Sequence, residues 1–184
     1  GLYNMKYQST NVRIPLSGRK AANAACLSAV QAADGSLTPE EIFNRYTGVG
    51  GLHGLHYVDY GNYKDFSDAK KEIEQGQFFT SNELCQWVVE CIRPGRLEKV
   101  VDLTCGKGSF FNHLPGESRI YGCEIDPDSY QIARHLYPDA HIELEDIRTY
   151  SPGVKFSIVF GNPPYNLNWK YNGHRMTSQA AYLQ

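Results

Sequence analysis

The residues Asn162-Pro163-Pro164-Tyr165 follow an apolar run that is typical of a buried strand, and they end it abruptly. Two consecutive prolines remove two backbone donors and fix two φ angles, which the interior of a strand does not need. They suit a rigid loop that keeps the side chains of Asn162 and Tyr165 in one place. Asn162, Pro163, Pro164 and Tyr165 are therefore the candidate catalytic residues, although Tyr165 alone would also suit an ordinary surface loop.

A glycine-rich turn is a second candidate for chemistry. Gly106 and Gly108 follow an apolar run that ends at Asp102. Glycines let a backbone approach a ligand closely, and a helix N-terminus beyond them would favour negative or polar groups. Alone the turn is a weak indication, because a tight strand–helix connection has the same composition. It also lacks the third glycine of a dinucleotide site.

Two acidic residues follow the next two predicted strands. Glu124 suits the two hydroxyls of a ribose, whereas Asp126 beside it suits the cap of the next helix. Asp146 can accept from the exocyclic amine of a nucleobase, although an ordinary polar strand end is the simpler explanation for Asp146 alone. Ligands of an open α/β sheet bind at the carboxyl ends of its strands. The order of the turn, the two acids and the proline loop therefore predicts one site.

The elements that position these residues can be predicted from apolar runs and helix signals. Four runs predict strands and alternate with predicted helices, so we predict an α/β fold with a mostly parallel sheet. The predicted strands lie within 99–104, 119–125, 140–147 and 155–161. Predicted helices cover 18–33, 39–46 and 65–75, and a further one follows a Thr80–Glu83 capping box and ends at Pro94-Gly95. Another is predicted to start after the glycine turn, and the last is capped by Asp126-Pro127.

Composition narrows the class of protein. The 184 residues are 41% hydrophobic and 21% charged, as in a soluble globular domain, and no run of about 18 apolar residues predicts a membrane span. The five cysteines include no CxxC pair, which argues against disulfides and zinc and favours a reducing cytoplasm. The net charge is -2 and no basic face is evident. If DNA is the substrate, most of the contacts that hold it should come from residues other than these.

Residues 76–167 resemble the cofactor-binding half of amino-group DNA methyltransferases that use S-adenosylmethionine. The family pattern G-x-[aromatic]-x-T-P reads GQFFTS at 76–81, and D-P-x-x-G-x-G-x-F reads DLTCGKGSF at 102–110. The pattern [DNS]-P-P-[YFW] reads NPPY at 162–165. Ser81 and Leu103 stand where the family has proline. This motif order is similar to that of adenine-specific enzymes whose target-recognition domain follows the catalytic one.

The resemblance implies a Rossmann-like methyltransferase fold that transfers a methyl group to the N6 amine of adenine in DNA, as in restriction–modification. It implies that Asn162 and the Pro163 carbonyl accept from the amine, that Tyr165 stacks on a flipped base, and that no metal takes part. Phe79 and Phe110 would be apolar walls near the cofactor. The implied cofactor-binding residues are Phe79, Thr80, Asp102, Thr104, Gly106, Gly108, Glu124, Ile125, Asp146, Ile147 and Asn162.

The resemblance also implies an organisation for the chain. Residues 1–75 would be a helical or irregular N-terminal arm, and 76–184 a partial methyltransferase domain that stops after the fourth of seven strands. We expect the exposed edge at 155–160 to be covered by the rest of the enzyme, by segment 166–184 or by a second chain. The ending TSQAAYLQ predicts the start of a helix. The isolated chain would then have little or no activity.

Two alternatives to adenine methylation stay open at this stage. NPPY also marks methylases of protein glutamine and of RNA guanine, and the chain would also suit a cofactor-binding or scaffold module without turnover. The segment YTGVGGLHGL at 46–55 resembles a stretch that precedes the methylase module in large phage and conjugative-element proteins with a helicase module.

Overall fold

The computed structural model describes residues 5–10, 12–164 and 168–177, which form five α-helices and six strands. Three short 3-10 helices join them. The helices are α1 (Leu16–Ala32), α2 (Pro39–Arg45), α3 (Tyr63–Glu74), α4 (Asn82–Ile92) and α5 (Pro127–Leu136). The strands are β1 (Val100–Asp102), β2 (Ile120–Glu124), β3 (His141–Leu144), β4 (Ile158–Phe160), β5 (Asn168–Tyr171) and β6 (His174–Thr177).

Four strands form one parallel sheet in the order β3-β2-β1-β4. Val101 of β1 pairs with Tyr121 of β2 on one side and with Val159 of β4 on the other. Because β1 lies between strands that come later in the chain and run parallel to it, the carboxyl ends of all four strands meet at one edge. The predicted α/β fold with a parallel sheet is confirmed.

The N-terminal helices belong to the same hydrophobic core as the sheet. Helices α1 and α2 both pack on α5. Cys26 of α1 and Phe43 of α2 are buried in one cluster with Ile132 and Leu136 of α5. Tyr7 packs there too, and its hydroxyl donates to the Leu136 carbonyl. The predicted domain boundary after residue 75 stays a prediction, but residues of α1 and α2 contribute to the core.

The predicted N-caps of α2 and α5, Thr38 and Asp126, are observed, whereas the predicted cap of α4 is not. Thr38 accepts from the Glu41 N–H and the Glu41 side chain accepts from the Thr38 N–H, so this predicted capping box is confirmed. The predicted Thr80–Glu83 box is wrong by one residue. Helix α4 is capped by Ser81, whose Oγ accepts from the Leu84 N–H at 3.3 Å. The Thr80 hydroxyl instead accepts a hydrogen bond from Asn162 of the proline loop.

The predicted helix after the glycine turn is absent, since β1 and β2 are joined through short 3-10 helices, the first at Phe111–His113. Gly108 has a φ of +87°, and a Cβ there would lie 2.6 Å from the Tyr137 ring. This left-handed, tightly packed position is followed by a short 3-10 helix instead of an α-helix. The connection from β3 to β4 also contains no helix.

Strands β5 and β6 form a separate antiparallel hairpin. Its turn is Asn172-Gly173, and both residues have positive φ, at 48° and 79°. Asn-Gly between two strands is a strong hairpin signal. The prediction of a helix from residue 177 is wrong at Thr177, which lies in β6, while residues 178–184 lie outside the described part of the chain.

Strand β4 is an edge of the parallel sheet in the described part of the chain. It pairs with β1, and residues 168–177 form their own sheet instead of extending this edge. Val159 is 56% exposed. Cover of this edge by further chain or by a second molecule stays a prediction.

The cysteines divide by burial. Cys26, Cys85, Cys105 and Cys123 are buried and Cys91 is exposed. Burial raises the pKa of Cys85 and of Cys123 to about 12. Within the described ranges, no helix is long and apolar enough to cross a bilayer.

Candidate cofactor and catalytic site

A cleft of about 760 Å³ opens at the carboxyl ends of the four parallel strands. Its volume lies in the range of small-molecule sites. The loops after all four strands contribute to it, together with residues 75–79 before α4. Of the predicted site residues, it is lined by Phe79, Thr104, Gly106, Glu124, Ile125, Asp146, Ile147, Asn162, Pro163 and Pro164.

Glu124 joins two walls of the cleft. Its Oε1 accepts from the Gly106 N–H at 2.8 Å and its Oε2 accepts from the Asp126 N–H at 2.7 Å. The side chain is 8% exposed, and burial raises its pKa while these two N–H donors act against the shift. Each carboxylate oxygen has a second lone pair for a ligand. The acid therefore fixes the glycine turn to the loop after β2.

Asp102 lies below the cleft and does not line it. It is 2% exposed, and its Oδ1 accepts from the Thr104 N–H at 3.0 Å. Burial raises the pKa of Asp102 to about 7, and the charge of Glu124 adds to the shift. The predicted contact of Asp102 with a cofactor stays a prediction, and the observed contact of its carboxylate is with the turn that carries Thr104.

Thr104 is the unsatisfied group of the cleft. Its Oγ1 is buried and has no hydrogen-bond partner among the residues described. A buried hydroxyl without a partner is costly, so a polar ligand atom at this position would supply what the protein does not. Thr104 lines the cleft together with Gly106. The hydroxyl oxygen itself has almost no accessible surface, so a ligand would bond it only after the Thr104 side chain turned toward the cleft.

Replacing Asp102 by Asn is expected to stabilise the folded chain at pH 8. The pKa of Asp102 is about 7 in the folded state and near 3.8 when exposed, so the folded state binds more protons between these values. Stability then falls as the pH rises through this window. Asn keeps an acceptor for Thr104 and does not ionise. Urea unfolding should show a gain on the order of 2 kcal/mol at pH 8 and little gain at pH 4.

The control for Asp102 is Asp139→Asn, because Asp139 is exposed. A variant at Asp102 with the same pH profile of unfolding as the parent chain would show that this carboxyl ionises normally.

Asp146 already has a cationic partner. Arg148 Nη2 lies 2.6 Å from Asp146 Oδ2, and Arg148 Nε lies 3.0 Å from Oδ1. The hydrogen bond from Arg148 lowers the pKa of Asp146. The Arg148 side chain is 67% exposed, and exposed ion pairs are weak, so this pair can rearrange around a ligand. Sequence reasoning missed Arg148. Beside the pair, Ile125 and Ile147 give the cleft apolar walls.

Asn162 lines the cleft and is oriented from the side of α4. Its Nδ2 donates to Thr80 Oγ1 at 3.1 Å. Thr80 does not line this cleft but lines a smaller second cavity of about 290 Å³, so its contact with the cleft runs through Asn162. Pro163 and Pro164 line the cleft next to it. Tyr165 lies outside the described residues.

The two predicted aromatic walls have different positions. Phe79 lines the cleft, and a Cβ on Gly106 would lie 2.7 Å from its ring, so only glycine fits beneath it. Phe110 is buried and stacks on Phe160 with 5.2 Å between ring centroids. The prediction that Phe110 lines the site is wrong, because the 3-10 connection points it into the core. Gly108 also packs against the core and does not line the cleft.

Lys107, between the two glycines, was not predicted as a site residue. Its Nζ donates to the carbonyls of Phe43 at 2.6 Å and Tyr46 at 3.1 Å. These carbonyls lie at the carboxyl end of α2, where a cation is favourable. Burial lowers the pKa of Lys107 to about 8. Lys107 thus fastens α2 to the glycine turn and also lines a second, smaller cavity of about 290 Å³.

Comparison with known proteins identifies the class. Residues 63–183 match the model of the N-6 DNA Methylase family, and the chain belongs to that family. The sequence resemblance to amino-group DNA methyltransferases is thereby confirmed. The matched segment begins at α3, so it includes residues that we predicted to lie in the N-terminal arm.

One curated relative and two solved structures show how similar individual proteins are to this chain. The Type II methyltransferase M.CvrRI of Paramecium bursaria Chlorella virus XZ-6E is 33% identical over 99 residues, which are 52% of this chain and 26% of that protein. Two solved structures are also similar. One is a modification subunit of a putative type I restriction enzyme from Vibrio vulnificus YJ016, at 19% identity and a TM-score of 0.43, covering 73% of this chain and 32% of that one.

The other is SAM-bound CalS10, an amino pentose methyltransferase from Micromonospora echinaspora, at 22% identity and a TM-score of 0.37, covering 59% of this chain and 44% of that one. At these scores the structural similarities carry no argument about function. The chain spans about a quarter of the length of the curated relative M.CvrRI.

Proposed function

We propose that this chain binds S-adenosylmethionine and takes part in methyl transfer to the exocyclic amine of adenine in DNA. The observation that carries the proposal is the single cleft in which Glu124, Asp146 and the Asn162 loop meet. Membership of the N-6 DNA Methylase family supports the same cofactor and substrate.

The cleft suits this cofactor chemically. S-adenosylmethionine carries a sulfonium-bound methyl group, and its net charge is positive. Four acids and two basic residues, Arg148 and Lys170, line the cleft, so its formal charge is negative, which favours a cationic ligand. Glu124 would accept from the ribose hydroxyls and Thr104 Oγ1 would bond a polar atom. Phe79 would face the sulfonium through its ring. The lining acids are Glu124, Asp126, Glu145 and Asp146.

The Asn162 loop would activate the target amine. The lone pair of the adenine amine is delocalised into the ring, which makes the nitrogen a poor nucleophile. Acceptors at Asn162 Oδ1 and the Pro163 carbonyl would bond its two hydrogens and favour a more tetrahedral nitrogen. The bond from Asn162 to Thr80 fixes the amide plane, and two prolines keep the loop stiff. The acceptors then need no reorganisation during attack.

DNA contacts would come mainly from other residues than those described. Binding to duplex DNA needs several phosphate contacts by Lys or Arg, and the net charge of this chain is -2. An adenine must also leave the duplex to reach the cleft. Tyr165, by analogy with other base-stacking aromatics, would contribute about 1–3 kcal/mol to holding it. We therefore propose that further protein, in the same or another chain, provides most of the contacts that hold the DNA.

Calorimetric titration with S-adenosylhomocysteine tests the cofactor, and we expect saturable binding at one site. The transfer is tested with labelled S-adenosylmethionine on duplex DNA, RNA and a glutamine-containing peptide, with digestion to nucleosides to detect N6-methyladenine. For this assay the gene product that contains these 184 residues is used. Absence of binding would contradict the cofactor, and label in RNA or peptide instead of DNA would contradict the substrate.

A further inference from the structure

The glycine-rich segment 47–51, called here the TGVGG loop, has no role in the site described so far. It follows α2 and does not line the large cleft. Two of its glycines, Gly48 and Gly50, are buried. Their backbone is packed against the segment that precedes α4, which does line the cleft. The question is what this close contact does for the site.

One side of the loop is fixed by α1. Asn23 is nearly fully buried, and its Oδ1 accepts from the Thr47 N–H at 2.8 Å and from Thr47 Oγ1 at 3.1 Å. Its Nδ2 donates to the Gly48 carbonyl at 2.8 Å. One buried amide therefore satisfies both a donor and an acceptor of the loop backbone, which fixes the loop against the core.

The other side of the loop contacts Gln77. The Val49 N–H donates to Gln77 Oε1 at 2.9 Å. A Cβ at Gly50 would lie 2.1 Å from the Gln77 carbonyl oxygen, and a Cβ at Gly48 would lie 2.5 Å from Gln77 Oε1. No side chain fits at either position without moving Gln77. Gly50 thus allows backbone to pack directly on backbone, and Gly48 leaves room for the Gln77 side-chain amide.

Gln77 also connects the TGVGG loop to the acidic loop after β2 by hydrogen bonds. Its Nε2 donates to Asp126 Oδ2 at 3.2 Å and to Ser129 Oγ at 3.1 Å. The Asp126 N–H in turn donates to Glu124 Oε2 at 2.7 Å. Because Val49 occupies the amide oxygen of Gln77, the amide nitrogen can face only Asp126 and Ser129. The hydrogen bonds are therefore continuous from the TGVGG loop to Glu124.

We propose that the TGVGG loop is a positioning element of the cofactor site, which orients Gln77 and through it the loop that carries Glu124. Cofactor affinity then depends on a segment that does not line the cofactor cleft. The inference rests on the proposed binding of S-adenosylmethionine. It explains why two buried glycines pack on one glutamine at the edge of the cleft while a buried asparagine fixes their loop from the other side.

The matched pair Gly50→Ala and Gly61→Ala tests the loop. Neither glycine has a positive φ, so alanine strains neither backbone, and a methyl group added at Gly61 would point into open space. Gly50→Ala must displace Gln77. We expect its dissociation constant for S-adenosylhomocysteine to rise about fivefold to tenfold, the factor that one lost net hydrogen bond gives, and that of Gly61→Ala to stay within about twofold.

Hydrogen exchange of the unmodified chain provides a second measurement in case Gly50→Ala does not fold. We expect saturating S-adenosylhomocysteine to slow exchange at the Val49 amide, because binding at Glu124 would tighten the bonds through Gln77. A purely structural glycine would lower the unfolding temperature without changing affinity or ligand-dependent exchange.

The outcomes separate the two proposals. Normal affinity in folded Gly50→Ala, or ligand-independent exchange at Val49 in a chain that binds the ligand, would overturn the positioning role alone. Failure of the unmodified chain to bind would overturn the proposed cofactor, and with it the site that the loop is proposed to position.

Discussion

Replacing Asn162 by Ala is expected to lower methyl transfer to duplex DNA by about 100-fold or more, with little change in cofactor affinity. The expected loss is that of one oriented group that stabilises a transition state. Asn162 lines the cleft, and its amide is held by Thr80 Oγ1 at 3.1 Å. The measurement is single-turnover transfer at saturating cofactor, together with calorimetry on the same variant. Near-normal turnover in Asn162→Ala would rule out the proposed role.

Two substitutions of Thr80 test whether its hydroxyl orients Asn162. Thr80→Val keeps the shape of the side chain and removes the hydroxyl that accepts from Asn162 Nδ2, so the amide is oriented less firmly and the rate should fall by up to about tenfold. Thr80→Ser keeps the hydroxyl and should retain most of the activity. If Thr80→Val instead weakens cofactor binding and leaves the saturated rate unchanged, Thr80 contacts the cofactor and does not orient Asn162.

Replacing Glu124 by Ala is expected to weaken cofactor binding by about 100-fold. The change removes charge-assisted bonds to the ribose, each worth about 1.5–3 kcal/mol, and leaves the buried N–H groups of Gly106 and Asp126 without their acceptor. Glu124→Gln keeps one carbonyl oxygen and should lose less. Because burial raises the pKa of Glu124, affinity in the parent chain should also fall as the pH is lowered toward that pKa.

The matched control is Glu143→Ala. Glu143 lies on the neighbouring strand β3, carries the same charge, is exposed and does not line the cleft. Its removal should leave the dissociation constant for S-adenosylhomocysteine almost unchanged. An equal loss in both variants would attribute the effect to general electrostatics, and a folded Glu124→Ala with unchanged affinity would remove Glu124 from the site.

The sequence predicted the part of the site that depends on strand ends. Apolar runs located β1 to β4, and a parallel sheet necessarily brings the residues after these strands to one edge. The cleft therefore contains Glu124, Asp146 and Asn162, as expected. Their individual roles remain predictions, because shared lining of a cleft does not decide which atom contacts which ligand.

Features that depend on long-range packing were not predictable in this way. Lys107 finds its carbonyl partners at Phe43 and Tyr46, more than sixty positions earlier, and no local pattern indicates such a pairing. Phe110 matched the family motif, but the connection after Gly108 turned its ring into the core. The Asn172-Gly173 hairpin is different, because its turn signal is local and was simply not used.

Because four of the five thiols are buried, their reactivity can report local unfolding of the chain. Only Cys91 is exposed among the five cysteines, so an alkylating reagent should modify the folded chain once and the unfolded chain five times. Each of the four protected sulfurs lies in a different element or turn: Cys26 in α1, Cys85 in α4, Cys105 in the glycine turn and Cys123 in β2. Mass spectrometry of alkylated peptides would therefore show which of these elements unfolds first and exposes its thiol.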